Sequence, residues 1–311
     1  GDIDILVGAE QGNYIYSNDG ASGFTLVEER DFSTTEPTGD RTHHLAVADV
    51  DSDGSFDLFG PTFYTRYEED SVAVPRNLWY WGAESLSGNT SFIYWTRMVD
   101  WSEHLEVSPA NAGGWVDVDD DGALDLYVIN DKPSLGYLCG VMHNDGNRQF
   151  SRMYSGLDVA IQGMGLAWGD LNLDGHIDFG ITGWDELALL INDGSDNWYD
   201  AALSWGLVSG EQRIVGWGID FVDLDNDGDE DVLVANGPDY DAFGNIGGPE
   251  EENINTPTQY MAFYENEGGT LTLKDNEDWD FGSAAEFRGF AMMDWNRDGY
   301  LDIIARDLTG H

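Results

Sequence analysis

Residues 216–237 read GWGIDFVDLDNDGDEDVLVANG. This stretch has a Gly-rich run, then acidic residues at alternate positions around a glycine, and then a short run of β-branched and aliphatic residues. Alternate oxygen-bearing side chains let a tight loop surround one hard cation, and glycine allows a positive-φ bend. The apolar run 231–235 is short and ends at turn residues, which is typical of a strand. The stretch therefore predicts a cation-binding loop between two β-strands.

The same loop occurs five times, with side-chain oxygens at its first, third, fifth and ninth positions and glycine at its sixth. In chain order, loops 1 to 5 are Asp49-Asp51-Asp53-Gly54-Asp57, Asp117-Asp119-Asp121-Gly122-Asp125, Asp170-Asn172-Asp174-Gly175-Asp178, Asp223-Asp225-Asp227-Gly228-Asp231 and Asp294-Asn296-Asp298-Gly299-Asp302. Gly1 to Asp4 match the end of a sixth copy. Calcium is the predicted cation, bound at five structural sites.

Two other calcium-loop architectures are excluded. An EF-hand has a bidentate Glu at the twelfth position, which here is Gly60, Val128, Ile181, Val234 and Ala305. A dockerin-like loop continues into an amphipathic helix, whereas strand-forming runs follow these loops. We therefore predict that the ninth carboxylate is the fourth side-chain ligand and that the backbone carbonyl of the seventh residue is a further ligand.

The charge balance limits the partners. The chain has 60 acidic and 13 basic residues, a formal net charge of -47. This charge excludes binding to a phosphate backbone as the main function, so no nucleic-acid partner is expected. No run of about 20 apolar residues is present, so no membrane span is expected in this chain.

Cysteine content and the loops together suggest a location. Cys139 is the single cysteine, so no internal disulfide is expected, and metal loops can replace that form of stabilisation. Loops of moderate affinity need calcium at about 0.1–1 mM, which is an extracellular concentration. We expect a secreted or cell-surface protein. Asn89-Thr90-Ser91 is an N-glycosylation sequon, which we interpret as an unmodified surface loop.

The spacing of the loops predicts the fold. The motif glycines lie at positions 1, 54, 122, 175, 228 and 299, and a period near 50 without a helical pattern predicts β-propeller blades. The unit from Gly163 predicts four strands, at 163–169, 177–182, 188–191 and 198–201, with an Asn-Asp-Gly hairpin turn before the last. We predict an all-β chain, a single propeller domain over residues 1–311 with about six to seven blades, starting and ending within blades.

Small residues and tryptophans recur on the first strand of each unit. Gly113, Gly165 and Gly218 there permit close approach of neighbouring backbones. The tryptophans at or beside these strands are expected to pack between blades, with sugar stacking as the open alternative. They are Trp115, Trp168, Trp217 and Trp295.

Residues 163–181 (GMGLAWGDLNLDGHIDFGI) and 216–237, with the Asn-Asp-Gly turns, resemble the FG-GAP/VCBS-type repeats of integrin-α-like β-propellers. The closest similarity is to cartilage-acidic-protein and UnbV-like secreted proteins, and it spans essentially the whole chain. The resemblance implies that four side chains and one carbonyl of each loop hold calcium on one rim. The implied carbonyl ligands belong to Ser55, Ala123, His176, Asp229 and Tyr300. Asn172 and Asn296 depart from Asp, which lowers the ligand charge and the expected affinity of loops 3 and 5.

The two longest repeat intervals contain the candidate contact residues. Their extra residues, 61–76 and 237–259, fall between the second and third strands, on the rim opposite the loops. Function is often carried by such loops on a rigid scaffold. The candidates for a contact surface are Tyr64, Arg66, Tyr67, Tyr240 and Phe243.

Three functions are weighed. The first is a non-catalytic extracellular calcium-binding propeller for adhesion, protein–protein interaction or self-assembly. The alternative is a carbohydrate-binding, lectin-like propeller with aromatic pockets between blades. The third is a polysaccharide lyase using Arg41, His43, His44 and Tyr64, which we disfavour because so acidic a protein repels anionic polysaccharides. No His/Asp/Ser or Cys/His arrangement stands out, so we expect no enzymatic activity.

Overall fold

The computed structural model describes residues 4–8, 13–18, 20, 23–30, 41–63, 77–82, 96–97, 108–208, 215–237, 260–274, 279 and 287–307. The regular secondary structure of these residues is almost entirely antiparallel β-strand. The chain divides into two compact units, Gly1–Tyr154 and Ser155–His311, and each is described by itself.

The first unit contains one three-stranded sheet, two four-stranded sheets and a separate strand pair. The three-stranded sheet has β1 (Ile5–Val7), β2 (Asn13–Asn18) and β3 (Phe24–Arg30). A short pair follows, of β4 (Arg41–Thr42) with β7 (Thr62–Phe63). The first four-stranded sheet has β5 (Ala46–Ala48), β6 (Asp57–Gly60), β8 (Leu78–Trp81) and β9 (Thr96–Arg97). The second has β10 (Ala110–Val116), β11 (Asp125–Asn130), β12 (Gly140–Gly146) and β13 (Gln149–Met153), with a 3-10 turn at Pro133–Leu135.

The second unit contains two four-stranded sheets and a two-stranded one. The first has β14 (Gly163–Gly169), β15 (Asp178–Gly183), β16 (Leu187–Asn192) and β17 (Trp198–Asp200), followed by the single-turn helix α1 (Ala202–Trp205). The next has β18 (Gly216–Val222), β19 (Asp231–Asn236), β20 (Ala262–Asn266) and β21 (Leu271–Leu273). The last has β22 (Phe287–Met293) and β23 (Asp302–Asp307).

Four strands per sequence repeat are confirmed for the repeats that contain loops 1 to 4. In each four-stranded sheet the strands pair in chain order, apart from the insertion of β7, so that each sheet is an antiparallel meander. Strands β14 to β17 begin within one residue of the predicted positions. Each candidate loop lies between the first and second strands of its sheet, as loop 3 does between β14 and β15. The sequence period therefore corresponds to one sheet.

The second strand of each sheet explains the apolar run after each loop. All six residues of β11, of β15 and of β19 are buried, because both faces of these strands are covered. A strand that is buried on both faces needs a continuous apolar run rather than alternation. In these three sheets the loop is therefore followed directly by the most buried strand.

Neighbouring sheets within a unit pack through aromatic and aliphatic side chains. In the first unit, Trp79 lies edge-on between Phe59 and Trp115, with ring centroids 4.8 and 5.7 Å apart. In the second unit, Ile219 and Phe221 on β18 pack in one cluster with Leu189 on β16. The loops therefore extend from sheets that are packed on one another.

Glycines on the first strands allow this packing, as the sequence predicts. A Cβ on Gly113 of β10 would lie 2.5 Å from the Phe59 ring of the preceding sheet. A Cβ on Gly165 of β14 would lie 2.8 Å from the carbonyl oxygen of Trp217 on β18. Contacts this short are not tolerated, so these positions exclude larger residues.

The prediction for the recurring tryptophans holds only in part. Trp115 is buried in the core, and Trp217 stacks on Arg288 of β22, whose guanidinium carbon lies 3.5 Å from the ring centroid. Trp168 and Trp295 are 41% and 74% exposed, so the expectation that they pack between sheets is wrong. Trp115 and Trp168 have the same register position, since each pairs with the residue after the ninth Asp of its loop, and Trp115 is buried because Phe59 and Trp79 of the preceding sheet cover it.

The single cysteine lies deep in the first unit. Cys139 is fully buried, and its thiol donates to the carbonyl oxygen of Asn130 at 3.4 Å. Burial raises the pKa of this thiol to about 12. The thiol is therefore protonated at neutral pH.

Candidate metal-binding loops

All five loops share one backbone frame, built by their own side chains. The first Asp accepts the N–H groups of the fifth and sixth residues, at 2.9–3.1 Å in every loop. The Oδ1 of the fifth Asp accepts the N–H of the seventh residue. Short acidic side chains favour such local bonds to backbone. The frame therefore folds each loop around its acidic side chains.

Two left-handed residues complete the frame. The fourth residue of each loop has a φ between 56° and 63°, although it is Ser52, Asp120, Leu173, Asn226 or Arg297. The glycine at the sixth position has a φ between 89° and 102°. A residue with a side chain resists this conformation, which explains why glycine recurs there.

Carboxylates converge in loops 1, 2 and 4. One oxygen from each of three acids lies within 4.8 Å of the others, and the three groups are Asp49-Asp51-Asp53, Asp117-Asp119-Asp125 and Asp223-Asp225-Asp231. Donor sets of oxygen alone suit hard divalent cations. Within the described chain, the Oδ1 of Asp119 is buried without a hydrogen-bond partner. These acidic clusters can therefore hold metal ions, and the residues present fit such an ion.

Loops 3 and 5 keep the frame but differ at the third position. The side-chain amide of Asn172 donates to the Oδ2 of Asp174 at 2.9 Å, and Asn296 donates to Asp298 in the same way. The amide replaces the repulsion between two carboxylates with a hydrogen bond. These two loops are consequently less charged and better satisfied without an ion.

The ninth residue has a structural role that the sequence analysis missed. In loop 4, Asp231 is buried, and its two oxygens accept the N–H of Leu224 at 3.2 Å and of Asn266 at 2.9 Å. The same pair of bonds forms at Asp57, Asp125 and Asp178. Asp4 accepts the N–H of Asn18, as the ninth residue of a sixth copy would. The ninth carboxylate therefore joins its loop to the end of the third strand.

Burial also changes the acidity of these carboxyls. It raises the pKa of Asp57, Asp125 and Asp231 to about 6 and that of Asp178 to about 7, while the two backbone N–H bonds act in the opposite direction. Neighbouring loop acids raise the pKa further, because a negative charge nearby disfavours ionisation. A cation in the loop would favour the ionised form.

The Asn of the hairpin turn links loops of neighbouring sheets. In the first unit, the side-chain amide of Asn144 donates to Val50 O in loop 1 and to Leu124 O in loop 2. In the second unit, Asn266 donates to Leu171 O in loop 3 and to Glu230 O in loop 4. The Asn-x-Gly pattern predicts the turn alone, and the distance from the ninth Asp to this Asn varies from 14 to 35 positions, so the second role is visible only in the structure.

The surroundings of the loops differ more than the loops themselves. At loop 2, the Nε2 of His143 lies 3.1 Å from Asp119, and its Nδ1 lies 2.9 Å from Asp145. Desolvation lowers the pKa of His143, but the bond to Asp145 and the nearby carboxylates outweigh it and raise the pKa overall. At loop 1, Arg148 contacts Asp51 and Asp53. Loop 4 instead has further acids, because Asp229 and Glu230 follow its glycine.

The structure brings three of the four predicted side-chain ligands within 4.8 Å of one another in loops 1, 2 and 4, and it does not test an ion. Side chains at the first, third, fifth and ninth positions lie in their loops as the sequence predicts, and their ligation of a metal stays a prediction. The same applies to the carbonyl groups of Ser55, Ala123, His176, Asp229 and Tyr300. The five contact candidates Tyr64, Arg66, Tyr67, Tyr240 and Phe243 lie outside the described residues. Of the residues considered for a lyase, His43 is within 3.0 Å of Asn111 Oδ1 through its Nδ1, and Tyr64 is outside the described residues.

Comparison with known proteins identifies the repeat. The model of the FG-GAP-like repeat matches residues 1–60, 117–181 and 170–234, which together are more than half of the chain. The chain belongs to the FG-GAP-like repeat family. The matched segments of this FG-GAP protein include loops 1 to 4 with their ninth carboxylates.

A solved structure supports the fold. A lectin of Agrocybe aegerita, described as specifically recognising non-reducing terminal N-acetylglucosamine, aligns with a TM-score of 0.53 at 15% identity. The alignment covers 98% of this FG-GAP protein and 71% of the lectin. At this identity the likeness concerns the fold alone, and the sheets are accordingly blades of a β-propeller.

A search of curated proteins finds no match to this FG-GAP protein. Within the part of the chain that the structure describes, no helix is long and apolar enough to span a membrane.

Proposed function

We propose that this protein is a non-catalytic extracellular β-propeller whose loops bind calcium and thereby rigidify a scaffold for adhesion or assembly. The partners would be extracellular proteins or further copies of the chain. The observation that carries this proposal is the single backbone frame shared by five loops, each folded around acidic side chains. Five different sequences form the same frame. We infer that the frame is kept because it arranges acidic side chains around a cation.

The residues of each loop account for a structural effect of calcium. Without an ion, three or four carboxylates repel one another, and the buried ninth carboxylate pays a desolvation cost when it ionises. Calcium would supply positive charge at this point. Because Asp231 and its equivalents also tie the loop to the third strand, ordering the loop would order the blade.

An extracellular location follows from the same argument. The ligands are oxygens in exposed loops, and sites of this kind fill at about 0.1–1 mM calcium. That concentration is found outside cells. Secretion and display at the cell surface are both compatible with this proposal.

Thermal unfolding of the chain with and without calcium tests the proposal. At about 1 mM calcium and dissociation constants of about 0.1–1 mM, binding stabilises the native state by roughly 0.4–1.4 kcal/mol per site, and the contributions of several sites add. We expect the melting temperature to rise by several degrees between calcium-stripped protein and protein in millimolar calcium, and isothermal titration to show several bound ions. Magnesium at equal ionic strength is the control, and an unchanged melting temperature would contradict the structural role.

Glycan binding is a second candidate, supported by the likeness to the Agrocybe aegerita lectin over 98% of this chain. Exposed aromatic side chains could stack on sugars, and Trp168, at 41% exposure, is one such residue. A glycan array in calcium, including terminal N-acetylglucosamine, tests this function. Saturable binding that Trp168→Ala abolishes would favour the lectin, whereas Ala substitution of the exposed Tyr154 is a matched control.

We propose no catalytic activity. Incubation with a panel of uronate polymers tests the remaining enzymatic alternative, because a lyase produces unsaturated sugars that absorb ultraviolet light. The absorbance should not rise above that of the polymer alone. A calcium-dependent rise would replace the scaffold proposal with a lyase.

A further inference from the structure

Arg148 lies against loop 1, although it belongs to the next sheet. It is at the tip of the β12–β13 hairpin, and its Nε lies 2.5 Å from the Oδ2 of Asp51. Its Nη2 lies 3.2 Å from the Oδ2 of Asp53. One guanidinium group thus contacts two of the four predicted side-chain ligands of this loop.

The guanidinium is held in this place from the other side. Its central carbon lies 4.8 Å from the ring centroid of Trp81 on β8, within the range of a cation–π contact. Trp81 is itself buried and packs near Phe150 of the same hairpin, with ring centroids 6.5 Å apart. Arg148 is therefore positioned by the core of the first unit as well as by the two carboxylates.

The local sequence of the hairpin does not account for an arginine here. Asn147 and Arg148 have φ values of 51° and 61°, so both central residues of the turn are left-handed. Such turns favour glycine at the second central position. The turns equivalent in sequence have Asp196 four residues after Asn192 and Thr270 four residues after Asn266. An arginine therefore occupies a turn position that favours glycine. We attribute its presence there to its contact with loop 1.

We propose that Arg148 is an internal cation that lowers the calcium affinity of loop 1, an inference that rests on the proposed calcium function. Asp51 and Asp53 must give up their charge-assisted bonds to Arg148 before their Oδ2 atoms can face a metal ion. The guanidinium borders an open groove of about 570 Å³, lined by Asp51, Asp121 and Asn144 among others. It therefore has space to move away without disturbing the core.

The consequence is an order of filling among the loops. Loop 4 has the same four Asp ligands as loop 1, and in the described chain no arginine or lysine contacts them. Loop 4 should therefore fill at lower calcium than loop 1. Loop 1 would respond only when the calcium concentration is high enough to compete with Arg148.

Calcium titration of Arg148→Gln tests this inference on the full chain. We expect one site to gain affinity by roughly three- to tenfold, because the exposed ion pairs that are removed are individually modest. The calcium affinity of Arg148→Lys should lie between those of the parent chain and Arg148→Gln. A lysine keeps the charge but cannot bond to two carboxylates with the geometry of a guanidinium group. Arg152→Gln is the matched control, with the same change of charge on the same hairpin but a bond to the carbonyl of Cys139.

A background that disables loop 1 identifies the site that changes. In Asp51→Asn/Asp53→Asn protein, Arg148→Gln should no longer alter calcium affinity. Unchanged or weaker binding in Arg148→Gln alone would overturn the inference while leaving the calcium function intact. If neither the parent chain nor any variant binds calcium, the proposed function itself fails, and this inference fails with it.

Chemical modification provides a second readout. Phenylglyoxal modifies accessible guanidinium groups, and peptide mass spectrometry reports the extent of modification at Arg148. Millimolar calcium should increase it, because Asp51 and Asp53 would release the guanidinium. Equal modification with and without calcium, or protection by calcium, would overturn the inference.

Discussion

Loops 1 and 4 have the same motif but different electrostatic surroundings. Each has four Asp side chains at the predicted ligand positions of the same hydrogen-bonded frame, and burial raises the pKa of the ninth residue to about 6 in both. Loop 1 receives Arg148 from the neighbouring hairpin, whereas loop 4 is followed by Asp229 and Glu230. Burial is the main cause that raises the pKa of Glu230, and Asp170 of loop 3 adds to it.

The difference shows that two levels of structure determine a loop. The nine-residue motif sets the backbone frame, which is the same wherever the motif occurs. The neighbouring sheet sets the charge around the frame, because the hairpin tips and the residues after the glycine vary. We therefore expect the affinity of a loop for a cation to depend on two adjacent repeats.

The largest expected effect is a dependence of stability on pH, which comes from the buried ninth carboxyl group that loops 1 and 4 share. In calcium-stripped protein, Asp57 and Asp231 keep their protons up to about pH 6, whereas in the unfolded chain they ionise near pH 4. The native state thus binds more protons, so the free energy of unfolding should fall as pH rises from about 4 to about 7. Asp125 and Asp178 have raised pKa values and add to this fall.

Urea unfolding from pH 4 to pH 8 measures this dependence. Asp57→Asn and Asp231→Asn should each reduce the slope by a similar amount, because neither Asn can ionise. Millimolar calcium should also make the fall smaller, since it favours the ionised carboxylates. Stability that rises with pH in stripped protein would show that these carboxyls are not held in their protonated form.

A smaller effect is expected from removing a ninth carboxylate altogether. Asp231→Ala leaves the buried N–H groups of Leu224 and Asn266 without an acceptor, at a cost of roughly 2–5 kcal/mol for two such groups. Asp57→Ala in loop 1 should cost a similar amount, because its bonds to Val50 and Gly82 are equivalent. Chemical denaturation in chelator measures both, and a loss seen only in calcium would mean that the carboxylate acts solely as a ligand.

The smallest expected effect is a difference between loops 1 and 4 in how much calcium stabilises the protein. Asp227→Ala and Asp53→Ala each remove the fifth-position ligand, and each should reduce the stabilisation that calcium provides. The reduction should be larger for Asp227→Ala, by about 1 kcal/mol, because the parent loop 1 already binds more weakly in competition with Arg148. Melting temperatures at a series of calcium concentrations measure the difference. Equal losses of stabilisation would contradict weaker calcium binding by loop 1.

Much of the blade could be predicted from the sequence because it is local. The bonds of the first and fifth Asp join residues no more than five apart, so alternate acids and a glycine specify the loop directly. The six buried residues of β19 appear as one apolar run. The hairpin at Asn192 is also local, because the N–H of Gly194 bonds to the Asn side chain two residues before it.

What the sequence did not reveal depends on residues far apart in the chain. Arg148 contacts Asp51 across 97 positions, and no periodicity relates the two. Asn144 similarly reaches Val50 across 94 positions. Trp168 shows the converse problem, because it has the same register position as the buried Trp115 and yet is 41% exposed. Contacts between repeats require the folded structure.

The burial of Cys139 has a practical consequence for site-specific labelling. With its pKa raised to about 12, this thiol is not available to maleimide reagents at neutral pH. A cysteine introduced at Leu173, which is 61% exposed at the fourth position of loop 3, would then be the one reactive thiol in the native chain. A fluorophore or spin label at this point would report on a single loop among five nearly identical ones, without prior replacement of the native cysteine.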